Sequence, residues 1–110
     1  MLTLIEMMQG DAMQIPFNVV NLKNEIVPES KIEAIEVVFG GMRFTYPDGG
    51  ISCLDDLFSI DLTQTKTLTA VPGFHELQYR IKAVNDPEYV QGNETCCYVK
   101  IRKAKSAEVI

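Results

Sequence analysis

A run of alternating side chains between residues 74 and 84 constrains the fold most strongly. Its odd positions are mostly apolar, and the even positions between Phe74 and Val84 are all polar: His75, Leu77, Tyr79, Ile81 and Ala83 alternate with Glu76, Gln78, Arg80 and Lys82. Successive side chains on a β-strand point to opposite faces, so this run predicts a strand with one face on a core and one in water. The same rhythm recurs along the chain, which favours a β-sandwich over an α/β enzyme core.

Short segments of this kind are separated by Gly, Pro, Asn and Asp. The predicted strands are 2–7, 13–20, 31–39, 42–46, 51–54, 57–62, 74–84 and 95–103, and the predicted turns and loops are 21–24, 40–41, 47–50, 55–56, 85–87 and 91–93. A helix is an alternative for 31–36, but the β-branched side chains that follow favour a strand. About seven to nine short strands with turns every ~8–12 residues predict an all-β, two-sheet antiparallel sandwich.

Two local signals and the chain length refine this prediction. Pro16 lacks an amide N–H, so its position must face a sheet edge or a bulge. Thr63 can cap one short helical turn that runs through Thr67, because its hydroxyl accepts a backbone N–H. Residues 1–103 are expected to form a single domain and residues 104–110 a C-terminal tail.

The charge of the chain is acidic overall and basic at its end. The 110 residues carry a formal net charge of -5, which argues against nucleic acid as a partner. Near the C-terminus, by contrast, Lys100, Arg102, Lys103 and Lys105 outnumber Glu108. This end is either simply solvated or docks on an acidic partner.

The N-terminal segment and the cysteines indicate a protein made in the cytoplasm. Basic residues are absent from the start, Glu6 interrupts the apolar run, and no apolar stretch approaches the ~20 residues that span a bilayer, so we expect no signal peptide and no membrane partner. An odd cysteine count argues against a disulfide framework. Cys96 and Cys97 are neighbours in a predicted strand, so one should lie in the core and the other half-exposed, while Cys53 lies elsewhere.

No group of residues has the spacing of a catalytic, cofactor or metal site. His75 is the single histidine, and its strand position predicts a partly buried rim residue rather than a base. Asp55, Asp56 and Asp61 form the densest acidic cluster. They flank a turn, where Asp is common, although glycoside chemistry or calcium binding are the alternatives there. We therefore expect no enzyme, no cofactor and no metal.

Two polar rows are candidates for a partner-contact face. They comprise Glu76, Gln78, Arg80 and Lys82 on one strand and Tyr98, Lys100 and Arg102 on the last strand. A solvated face with weak ion pairs is the alternative. A carbohydrate-binding module that attaches to surface glycans is a second functional hypothesis, with Tyr79, Tyr98, Phe44 and Tyr46 as candidates for stacking on sugars.

A resemblance to a known family rests on five segments. They are Gly10-Asp11, the run from Ile35 to Gly41, the run from Thr45 to Gly49, Leu62-Thr63-Gln64 with Thr67-Leu68, and the run from Glu76 to Lys82. From about Glu6 to Arg102, the chain resembles small phage and prophage structural proteins, many of which are Ig-like sandwiches in tails and baseplates. The N-terminal domain type of upper baseplate proteins is among them. These motifs are turns and strand faces, and none marks a catalytic residue.

The resemblance implies a non-enzymatic virion component, placed in a tail or baseplate after synthesis in the bacterial host. It would act through contacts with other phage structural proteins and with copies of itself. One departure concerns the tyrosine corner, a hydrogen bond from a Tyr near the start of one strand to the backbone upstream. This chain has Phe74-His75 at that place.

Overall fold

The described part of the chain folds into eight strands arranged in two sheets. The computed structural model describes residues 3–21, 23–84 and 90–110. Within these ranges the strands are β1 (Thr3–Met8), β2 (Met13–Phe17), β3 (Ile32–Phe39), β4 (Met42–Tyr46), β5 (Ile51–Leu54), β6 (Leu57–Leu62), β7 (Gly73–Ala83) and β8 (Val90–Arg102). A 3-10 turn spans Glu29–Lys31, and one short helix, α1, spans Gln64–Thr67.

The two sheets enclose one apolar core. The larger sheet has the order β1-β8-β7-β3-β4 and the smaller one the order β2-β6-β5. Inward side chains from both sheets are almost fully buried, among them Ile35, Phe39, Phe44, Phe58 and Val99. Because the inward positions of β3, β6 and β7 follow the period of two, the predicted all-β fold with two sheets is confirmed.

The prediction that all strands are antiparallel is wrong for β1. This strand runs parallel to β8, with Leu4 opposite Tyr98 and Met8 opposite Arg102. All other strand pairs in the described ranges are antiparallel. Burial periodicity reports which face of a strand is buried, but it carries no information on the partner or its direction. A non-local parallel pair therefore leaves no trace in the pattern.

The last strand is longer than predicted. It begins at Val90, so 91–93 lie in β8 and the predicted loop there is wrong, as is the start at Thr95. Between the pair Glu76–Tyr98 and the pair Gln78–Glu94, β8 has three residues where β7 has one. This bulge adds two residues, so the alternation of faces is the same on both sides of it. The predicted loop at 85–87 lies outside the described residues.

Local signals at strand ends have the predicted effects. Pro16 lies on β2, an edge strand that pairs only with β6. The Thr63 hydroxyl accepts the Lys66 N–H at 3.2 Å and caps α1. In the described part of the chain, no helix combines the length and the apolar character that crossing a membrane requires.

The C-terminal tail returns along the body of the domain. The side-chain amide of Gln9 accepts the Ala104 N–H at 3.0 Å and donates to the Ala70 carbonyl at 2.8 Å. The side-chain amide of Gln64 binds both backbone groups of Ile110, at 2.7 and 3.0 Å. Gln9 thus fixes the start of this segment to the turn after β1, and Gln64 fixes its end to α1.

Candidate functional site

The two polar rows predicted from the sequence lie on one surface. They belong to the solvent-exposed side of the five-stranded sheet, which we call the outer face. Its predicted members are Glu76, Gln78, Arg80 and Lys82 on β7 and Tyr98, Lys100 and Arg102 on β8. Glu76 lies directly opposite Tyr98 across the β7–β8 pair. The side chains on this face point outward because those between them, such as Leu77 and Val99, fill the core.

Carboxylates on the neighbouring strands pair with the basic residues of the outer face. Glu36 on β3 accepts from Arg43 Nε at 2.7 Å and from Arg80 Nη2 at 2.6 Å. The hydrogen bond from Arg43, followed by that from Arg80, lowers the pKa of Glu36 below its ordinary value of 4.5. Both arginines are largely exposed, so these bonds orient the side chains more than they stabilise the fold.

Two weaker ion pairs extend this pattern along the outer face. Lys82 Nζ lies 3.4 Å from a carboxylate oxygen of Glu33, and Arg102 Nη2 lies 3.9 Å from one of Glu6. Exposed pairs of this kind contribute up to about 1 kcal/mol each. The outer face therefore presents fixed charges of both signs, which suit orientation of a partner better than tight binding.

Apolar side chains on the outer face were missed by the sequence analysis. Phe74 is 66% exposed, Leu4 51% and Met8 43%. Lys100 Nζ lies 5.5 Å from the centre of the Phe74 ring, a cation–π distance. Phe74 shares its parity with Glu76, so the alternation of β7 already carried the signal that its ring points to solvent.

The aromatic residues proposed for stacking on sugars do not share a surface. Phe44 is buried in the core, and Tyr46 and Tyr79 pack against it. Tyr98 is half-buried on β8 and is the one of the four that belongs to the outer face. A carbohydrate platform would therefore have Tyr98 alone among these candidates.

A polar cluster surrounds Cys53 at the edge of the smaller sheet. The Tyr46 hydroxyl donates to Glu29 Oε2 at 2.5 Å, and this bond raises the pKa of Tyr46 to about 12. Burial, together with the negative charge of Glu29, raises the pKa of the Cys53 thiol. A thiol that stays protonated is a weak nucleophile, so this cluster holds the 3-10 turn against β4 and β5 rather than activating sulfur.

The predicted acidic cluster is divided by the fold. Asp55 and Asp56 form the tight turn of the β5–β6 hairpin with positive φ angles of 50° and 65°, and Asp56 accepts the Glu29 N–H at 2.9 Å. Asp61 lies five residues further along β6, roughly 16 Å away at strand spacing. Its carboxylate accepts from Gln14, Ser52 and Ser59. Among the described residues, no group of His, Cys, Asp and Glu is placed to hold a metal ion.

The single histidine has a structural partner. His75 lies near the start of β7, half-buried, and its Nε2 is 2.6 Å from the Val71 carbonyl oxygen. Because a carbonyl can only accept, Nε2 carries the proton in this bond. The bond joins β7 to the connection that follows α1.

Comparison with known proteins gives no relative. No family model, no curated protein and no solved structure matches this chain.

Proposed function

We propose that this chain is a non-enzymatic structural domain of a phage or prophage tail or baseplate, which acts by holding neighbouring proteins through the outer face. The observation that carries the proposal is the composition of that face. Exposed Phe74, Leu4 and Met8 lie among oriented ion pairs. Apolar anchors surrounded by charged groups are typical of protein contact surfaces.

An Ig-like assignment of the sandwich supports the same proposal. In variable-type Ig domains, one sheet contains the third, sixth and seventh strands of the seven-strand core, extended by an added strand next to the third. Here β4-β3-β7-β8 has that order, and β2-β6-β5 has the order of the other sheet. The first strand departs from the scheme, since β1 lies beside β8 and not beside β2.

His75 supplies a bond that resembles the tyrosine corner of Ig domains. In that corner, a Tyr hydroxyl near the start of the sixth strand bonds to the backbone a few residues upstream. His75 stands near the start of β7 and bonds to the carbonyl of Val71, four residues upstream. The same crossing between the sheets is thus tied by an imidazole instead of a phenol.

Purified particles test the proposal. Phage particles produced by a strain that lacks this gene would be complemented with the natural chain, with Phe74→Glu or with Leu54→Glu, and the protein in gradient-purified particles would be measured by quantitative mass spectrometry. Leu54 is a matched control, because it is 77% exposed but lies on β5, in the other sheet.

The expected result is that the natural chain and the Leu54→Glu variant enter the particles at equal copy number. The Phe74→Glu variant, which places a charge on the apolar anchor, should be depleted at least severalfold. Absence of the natural chain from purified particles would refute the tail or baseplate role, and equal incorporation of all three chains would refute the role of the outer face.

A further inference from the structure

Strand β1 presents an open edge at the side of the five-stranded sheet. Gln9 N–H donates to the Arg102 carbonyl at 3.0 Å, so odd-numbered residues of this segment direct their backbone toward β8. Met8 faces the other way, because its N–H donates to Asp11 Oδ2 at 2.8 Å and its carbonyl accepts from the Asp11 N–H at 3.1 Å. By the same alternation, Leu4 and Glu6 direct their N–H and C=O groups away from the sheet.

The other three edge strands are blunted. On β2, Pro16 occupies an outward-facing position and offers no N–H. On β4, the outward Thr45 N–H is taken by the Gly49 carbonyl at 3.0 Å. On β5, only four residues long, Ile51 is buried and therefore covered. Within the described residues, β1 is the edge on which two neighbouring outward-facing positions, Leu4 and Glu6, are both exposed and both carry an N–H and a C=O.

We infer that a second copy of this chain pairs with that edge, β1 against β1 in antiparallel orientation. The inference rests on the proposed assembly function and deepens it by naming the partner and the strand. Unpaired edge groups are a template for another strand, and an antiparallel pair of identical strands closes a two-fold symmetric dimer. The two five-stranded sheets then join into one continuous sheet.

Charge and blocking restrict the register of this pair. Residues whose backbone groups face outward must lie opposite each other in the two copies. The residue at the centre of the pair, through which the two-fold axis passes, is therefore Leu4, Ile5 or Glu6. A centre at Glu6 places two like charges opposite each other and brings in Met8, whose backbone is already bonded to Asp11. A centre at Leu4 places Leu4 opposite Leu4 of the second copy, and the charge exchange below distinguishes it, because Leu4→Glu then sets like charges opposite each other with or without Glu6→Lys. The centre at Ile5 pairs Leu4 of each copy with Glu6 of the other.

This register also covers apolar surface. Ile5 is half-buried on the inner side of β1, and the two-fold axis places it opposite Ile5 of the second copy. Leu4, exposed in the single chain, packs against the aliphatic part of Glu6 from the second copy. Each of the two Leu4–Glu6 pairs exchanges two N–H···O bonds, as hydrogen-bonded antiparallel pairs do.

Sedimentation equilibrium of the full chain between about 5 and 500 μM tests the inference. Glu6→Pro removes an outward N–H but no backbone hydrogen bond of the single chain, and Pro16 on β2 is the precedent for proline at such a position. The natural chain should approach the mass of two chains, while Glu6→Pro should remain monomeric and keep its β-sheet circular dichroism spectrum. Glu6→Gln, which keeps the N–H, should dimerise like the natural chain.

A charge exchange tests the register even if Glu6→Pro fails to fold. Leu4→Glu places carboxylates opposite each other in both pairs and should weaken dimerisation at least tenfold, whereas Leu4→Glu with Glu6→Lys makes both pairs attractive and should restore it. Leu54→Glu is the control away from the edge. A natural chain that stays monomeric to 500 μM, or a dimer indifferent to all of these changes, overturns the inference. A chain that is monomeric yet present in purified particles overturns it and leaves the proposed function standing.

Discussion

The β3–β4 turn provides the sharpest test of how tightly the core is packed. Gly40 is buried with φ +58, and a Cβ placed on it would lie 2.5 Å from Ile101 Cδ1. Ile101 is itself buried on β8, so it has little room to move away. Gly40→Ala therefore combines a left-handed backbone with a steric overlap in the core.

Both costs can be estimated. A left-handed backbone costs a non-glycine residue about 1–2 kcal/mol. Overpacking of a filled core costs about 1–3 kcal/mol more. We expect Gly40→Ala to lower the free energy of unfolding by about 2–5 kcal/mol, out of a total of about 5–15 kcal/mol for a domain.

Two further variants separate these costs. Gly10→Ala has the same backbone handedness, with φ +89, but its Cβ would meet Leu68 Cδ2 at an ordinary 3.4 Å, so only the ~1–2 kcal/mol backbone cost should appear. Ile101→Val removes the overlapping Cδ1 and alone should cost about 0.5–1.5 kcal/mol. In the Gly40→Ala background, the same substitution should be neutral or stabilising.

Urea unfolding followed by circular dichroism measures the natural chain and all four variants, including Gly40→Ala with Ile101→Val. Equal losses for Gly40→Ala and Gly10→Ala, or strictly additive losses for Gly40→Ala and Ile101→Val, would refute the packing of the turn against β8.

Three other predictions concern polar contacts. Titration of the Tyr46 phenol by ultraviolet absorbance should give a pKa of about 12, which should return toward 10 in Glu29→Gln. Because the folded state favours the neutral phenol, its contribution to stability is present below pH 10 and is lost as the pH rises to about 12. An unchanged titration in the variant would contradict the contact. Glu36→Gln should cost at most about 1 kcal/mol at pH 7. Because the pKa of Glu36 is lowered in the folded state, its contribution starts to fade as the pH falls below 4.5, so denaturant unfolding should show a smaller difference at pH 3 than at pH 7, and an equal difference would contradict the contact. His75→Phe removes the donor to the Val71 carbonyl and should cost about 1–2 kcal/mol in urea unfolding, with no loss arguing against the bond.

Much of the fold could be read from local patterns. The bounds of β4, β5 and β6 agree with the prediction, because turn residues such as Gly40-Gly41 and Asp55-Asp56 adopt backbone conformations that ordinary residues avoid. The cap by Thr63 and the edge position of Pro16 were equally predictable, since each follows from one chemical group. These signals act within a few residues, where a sequence is most informative.

Features that depend on distant residues could not be read in this way. The parallel pairing of β1 with β8 joins residues more than 90 positions apart, and the bulge in β8 exists only relative to β7. The candidate site was found in part: its polar rows follow from alternation, but the pairing of Glu36 with Arg43 and Arg80 needs the strand order. Strand order is a property of the whole chain and not of any segment.

Cross-linking of purified phage particles with a lysine-specific reagent tests the central claim most directly. Lys82 and Lys100 lie on the outer face, whereas Lys23 and Lys31 lie in and beside the connection between β2 and β3. If the outer face holds neighbouring proteins, Lys82 and Lys100 should account for most cross-links to other chains. A chain that is absent from the particles, or whose cross-links to other chains come from Lys23 and Lys31 instead, would contradict the account.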